Sequence, residues 1–148
     1  MTSDVLGRVQ FLQKKMSAGA IPERLMVAEA KGEQQMTEFT FLFRGRDRTQ
    51  SPEQMQKTMH KWVAWFKELD AKGQIKYPGN PLQDTGKVVR GKQKTVHDGP
   101  YAEAKDLVNG YMQVDADNIE HAVELAKGCP ILEVGGSVEV RPIESINM

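Results

Sequence analysis

Glu38-Phe39-Thr40-Phe41-Leu42-Phe43 puts three phenylalanines on one face of an extended segment, with Thr40, Leu42 and Arg44 on the other. A strand with so apolar a face has to be covered on that side, and the residues that follow can supply the cover. Ser51-Pro52-Glu53-Gln54 has the cap, the first-turn proline and the carboxamide three residues later that open a helix. Met55, Met59, Trp62, Phe66 and Leu69 then recur at helical spacing as one stripe, and Gly73 ends it. The stripe reads as packing before it reads as a ligand surface.

Between Gln74 and Val96 the signals are short and broken by turns: Tyr77-Pro78-Gly79-Asn80-Pro81, then Asp84-Thr85-Gly86, then two extended runs around Gly91. They predict a strand, a loop and a hairpin. Leu107 to Val114 predicts a further strand. Asp117-Asn118-Ile119-Glu120 predicts a capping box and a second helix with Ile119, Ala122, Val123 and Ala126 inward, closed by Lys127, Gly128 and Pro130. Ser137 to Ile143 is the last strand. With the hairpin set aside the order is strand, helix, strand, strand, helix, strand. That is the ferredoxin-like α+β pattern, two helices on one face of an antiparallel sheet. Residues 1 to 35 read as an N-terminal extension, either docked as a helix or loosely held, ahead of a domain spanning 36 to 148.

The 148 residues are 39% hydrophobic, enough for one domain with its own core. Twenty basic residues balance twenty acidic ones, so no global field favours nucleic acid or an anionic membrane as partner. A single cysteine, Cys129, forms no internal disulfide, and no apolar run has the length of a membrane span or the form of a signal peptide; the expected compartment is the reduced cytoplasm. His60, His97, His121 and Cys129 lack the close spacing of zinc ligands, and no glycine-rich phosphate loop or serine elbow occurs, so neither metal nor cofactor is expected.

One stretch stands apart from this scaffold. Val96-His97-Asp98-Gly99-Pro100-Tyr101-Ala102-Glu103-Ala104-Lys105 combines an acid, an imidazole and a forced turn, with Pro100 suited to open a short helix and Asp98 placed to cap it. His97 to Lys105 resembles the signature of the DGPF-domain branch of the YCII-related family, with Tyr101 where the name-giving pattern has Phe. The likeness continues in Gly110-Tyr111, in Cys129-Pro130, in Gly136 to Ile143, and upstream in the Trp62/Trp65 helix and Gly79-Asn80-Pro81-Leu82. It implies the dimeric α+β barrel, in which two such sheets face each other, and hence a homodimer. It also implies a small-molecule site, because related barrels include isomerases and monooxygenases. Members of the branch are often encoded beside extracytoplasmic-function sigma factors, which implies a sigma factor or other regulatory protein as an alternative partner.

Asp98 is the leading catalytic candidate, as a base or acid if apolar neighbours such as Tyr101 desolvate it; as turn punctuation binding backbone N–H groups it would be structural instead. His97 is adjacent, but on a strand it points to the opposite face. In the wider family a first-helix histidine and an aspartate after the glycine-proline loop form the proposed acid–base pair, which implies His60 and Asp84 here. Arg44 and Arg141, at the ends of strands that should be neighbours, could clamp an anionic group in the barrel mouth, and Tyr101 and Asp84 are further candidates for substrate contact. Glu103 and Lys105 read as a surface pair, and Cys129 as a buried residue rather than a nucleophile.

Overall fold

The computed structural model describes residues 36–100 and 103–147. The N-terminal extension and Tyr101 lie outside them. β1 (Thr37–Arg44) is followed by α1 (Pro52–Ala71), β2 (Ile75–Pro81), a hairpin of β3 (Gly86–Arg90) and β4 (Thr95–Gly99), a short 3-10 turn (Ala104–Asp106), β5 (Val108–Ala116), α2 (Ile119–Ala126), a second 3-10 turn (Pro130–Val134) and β6 (Ser137–Pro142). The main sheet is antiparallel in the order β2-β5-β1-β6, the ferredoxin-like arrangement, and β3 pairs only with β4.

Phe39, Phe41 and Phe43 sit opposite Val114, Met112 and Gly110 of β5 and opposite Pro142, Val140 and Val138 of β6, making one face of the sheet apolar. Both helices lie on that face. Phe41 stacks on Trp65 at 6.3 Å and 15°, and Phe43 meets Trp62 edge-on at 5.1 Å and 88°. The Trp65 indole N–H donates to the Leu125 carbonyl (3.2 Å), linking α1 to α2 through the centre of the core.

α1 starts as its sequence dictates. Gln54 N donates to Ser51 Oγ, and Ser51 N donates back to Gln54 Oε1. The packing face keeps Trp62, Phe66 and Leu69 of the predicted stripe and adds Trp65, while the stripe's first member lies outside it. Trp65 and Leu69 are the buried residues, Trp62 and Phe66 flank them, and Met55 is 51% exposed. The buried side chains all fall in the second half of the helix, so its first turns project beyond the sheet. α2 is capped one residue later than expected, by Asn118, whose Oδ1 accepts from His121 N at 2.8 Å. That rotation buries Ala122, Leu125 and Ala126 and leaves Ile119 and Val123 exposed. The turn after the signature begins at Ala104 rather than Pro100, and Asp98 belongs to β4 instead of capping it.

Candidate functional site

β1 runs out of the sheet at a bulge. Phe43 pairs with Gly110 but Arg44 pairs with Val108, so Asn109 is the extra residue on β5. Asn109 is 7% exposed and ties three segments together: its Oδ1 accepts from Arg46 N (2.7 Å) and its carbonyl accepts from Leu82 N (2.7 Å). Arg46 reaches on to the Leu82 carbonyl (2.9 Å) and to Asp84 Oδ1 (3.1 Å), and Arg48 meets the same Asp84 oxygen at 2.6 Å. Between the two arginines Asp47 accepts from the Thr49 hydroxyl and N–H, which fold the loop back and hold the Asp47 carboxyl below its usual range. The loop after β1 thus fastens the loop after β2, and with it the base of the hairpin. Arg46 Nε is buried there without a partner.

Arg44 lies at the same corner. Its Nη1 donates to the Asp106 carbonyl (2.6 Å) and its Nη2 to Glu139 Oε1 (2.9 Å), while Glu139 Oε2 accepts from Arg141 (3.2 Å). Hydrogen bonds from Arg44 first, then Arg141, pull the Glu139 carboxyl below the ordinary carboxylate range. The two arginines expected to clamp an anion are therefore linked through Glu139. Beside Arg44 opens a concavity of about 450 Å³, lined by Leu82, Gln83, Thr85, Pro100, Asp106, Leu107 and Val108. Walls of Leu, Pro and Val meet one guanidinium that is already paired with Glu139, so a small amphipathic anion held there would share or displace that carboxylate.

The remaining candidates are dispersed. Asp98 is 89% exposed on β4 and pairs with Lys87, its register partner on β3. His97 lies across from Val88 and faces a second, shallower concavity at the hairpin tip with Arg90, Lys92, Gln93 and Thr95. His60 is exposed on α1 and shares no hydrogen bond or ion pair with Asp84. His121 is tied on both sides: Asp117 N–H donates to Nδ1 (3.1 Å) and the Gln74 side-chain amide meets Nε2 (3.1 Å). The Gln74 side-chain oxygen is buried beside this contact without a partner. The Cys129 thiol is 2% exposed, and burial pushes it up to about 12. Among the described residues no cluster of three potential metal ligands occurs, and no helix is long and apolar enough to cross a membrane.

Sequence reasoning missed Arg46, Asn109, Asp106 and Glu139, and it also missed Asp115, a 4% exposed carboxylate on the sheet face away from the helices. A YCII-related domain model matches residues 37–147. No curated protein matches the chain.

Proposed function

Since this chain belongs to the YCII-related domain family, we propose that it binds a small amphipathic anion in the concavity beside Arg44 and acts on it by acid–base chemistry. The observation that carries this reading is the convergence at one corner of Arg44, the Asp84 loop and Pro100 of the signature. The order His97-Asp98-Gly99-Pro100-Tyr101 through Lys105 supports placing the chain in the DGPF branch. In this reading Arg44 orients the ligand, Leu82, Leu107 and Val108 exclude water from its body, and Asp98 exchanges a proton once its Lys87 partner is displaced. The sheet face bearing Thr40, Leu42, Tyr111 and Gln113 is closed by a second copy, as the family's barrel implies.

A thermal-shift screen of small carboxylic acids on wild type, Arg44→Gln and Asp98→Asn tests this. A ligand at a hundredfold excess over its Kd adds about 2.7 kcal/mol to the folded state. Wild type gains melting temperature, Arg44→Gln does not, and Asp98→Asn binds without turnover. Absence of any shift across the acids would defeat the reading. The exposure of Asp98 on the hairpin favours one alternative, a ligand-binding regulatory protein without chemistry that works beside an extracytoplasmic-function sigma factor. A shift retained in Asp98→Asn, with no turnover by either protein and a sigma factor recovered in a native pull-down, selects that alternative.

A further inference from the structure

The β3–β4 hairpin is a sheet of its own, separate from the main sheet, and its strongest contacts among the described elements are those between its two strands. Isolated two-stranded ribbons are marginal in water. This one also leaves Val89 and Val96, opposite each other in register, 66% and 62% exposed. Residues 86 to 99 carry Lys87, Arg90, Lys92 and Lys94 against the single acid Asp98, in a chain whose total charge is zero. The hairpin is thus a basic arm with a bare apolar pair, and both features call for cover of matching chemistry.

α2 has that chemistry. Ile119 and Val123, 42% and 39% exposed and one turn apart, form an apolar shoulder beside the buried stripe. Asp117, Glu120 and Glu124 surround it, with no lysine or arginine between 117 and 124, although Glu124 is paired with Lys127 at 2.6 Å. The two surfaces are at opposite ends of the molecule. The arm leaves β2 and enters β5 at the end where Pro81 pairs with Gly110 and Arg44 with Ser137. α2 begins at the other end, where Thr37 pairs with Ala116. An arm cannot reach the α2 start of its own chain, whereas in the homodimer proposed above a two-fold axis that reverses strand direction sets it at that end of a second copy, from where it has to pass the sheet border to reach the helix-bearing face.

We infer that the β3–β4 arm of one copy docks on the first two turns of α2 of a second copy, with Val89 and Val96 against Ile119 and Val123 and the arm's lysines beside Glu120 and Glu124. The contact is reciprocal, so each copy gives one arm and receives one. This rests on the homodimer proposed above and adds a second contact to it, outside the sheet faces.

The test uses the full chain in a Cys129→Ser background. Val96→Cys and Val123→Cys proteins, each pure, are mixed under mild oxidation; a disulfide-linked mixed dimer supports the contact. In parallel, sedimentation equilibrium compares wild type, the Lys92→Glu/Lys94→Glu protein and that protein with Glu120→Lys/Glu124→Lys added. The charge reversal weakens the dimer about tenfold and the second reversal restores it. A dimer that resists reversal and gives no mixed disulfide overturns the arm contact while leaving the homodimer intact; a monomer at every concentration overturns both.

Discussion

Gly79 has φ +68°, and a Cβ there would stand 1.7 Å from the Tyr111 carbonyl oxygen. Backbone on backbone cannot yield as a side-chain tip can, so Gly79→Ala should cost about 3 kcal/mol or more in urea unfolding. Cys129 makes the opposite kind of prediction, since its burial excludes chemistry. With the folded thiol raised from 9.0 to about 12, the unfolded thiol ionises first. Its contribution to stability is therefore complete below about pH 9 and lost as pH rises toward 12. At pH 8 a disulfide reagent should leave native protein untouched and label it fully in guanidinium. That the cysteine is buried was readable from Cys129-Pro130 at a helix end. The partners of Arg44, Arg46 and Asp98 were not, because each depends on a bulge or a hairpin register: one residue of slip at Asn109 decides which arginine meets Asp84 and which meets Glu139.

Between elements, Trp65 carries the most weight. It fills the space over Phe41 and gives its indole proton to Leu125 of α2. Trp65→Phe keeps a ring in the stack but drops the hydrogen bond, for a loss of about 1–2 kcal/mol, while Trp65→Ala opens a cavity and costs about 3–5 kcal/mol. Denaturation midpoints at constant m-value separate the two. The start of α1 was legible because Ser51 and Gln54 satisfy each other locally. Its buried face was legible at Trp62, Phe66 and Leu69 but not in extent, since helical spacing fixes which residues share a stripe but not where the helix crosses the sheet. Met55 and Met59 fit the periodicity as well as Trp65 does, and only the crossing point decides between them.

At the scale of the molecule the order of strands and helices was enough to give the fold, because two helices of this length can cover only one face of a four-stranded sheet. The same reasoning leaves the second face without cover from these helices, and it is there that the homodimer proposed above would close. Leu42, on β1 opposite Tyr111 and Glu139, is central to that face. Wild type should sediment as a dimer at micromolar concentration, and Leu42→Asp should be a folded monomer with an unchanged circular-dichroism spectrum. A wild-type monomer would contradict this. The concavity beside Arg44 was out of reach of the sequence because its walls come from four separate segments.

β2 has a consequence of its own. It is an outer strand of the sheet, seven residues long, yet Pro78 and Pro81 have no N–H to offer and its pairing with β5 slips twice. Such a border gives a stray chain no continuous ladder to extend. Fibrillar growth from a partly opened molecule is therefore barred on that side, and falls to β6, whose register with β1 runs unbroken from Phe39 to Arg44.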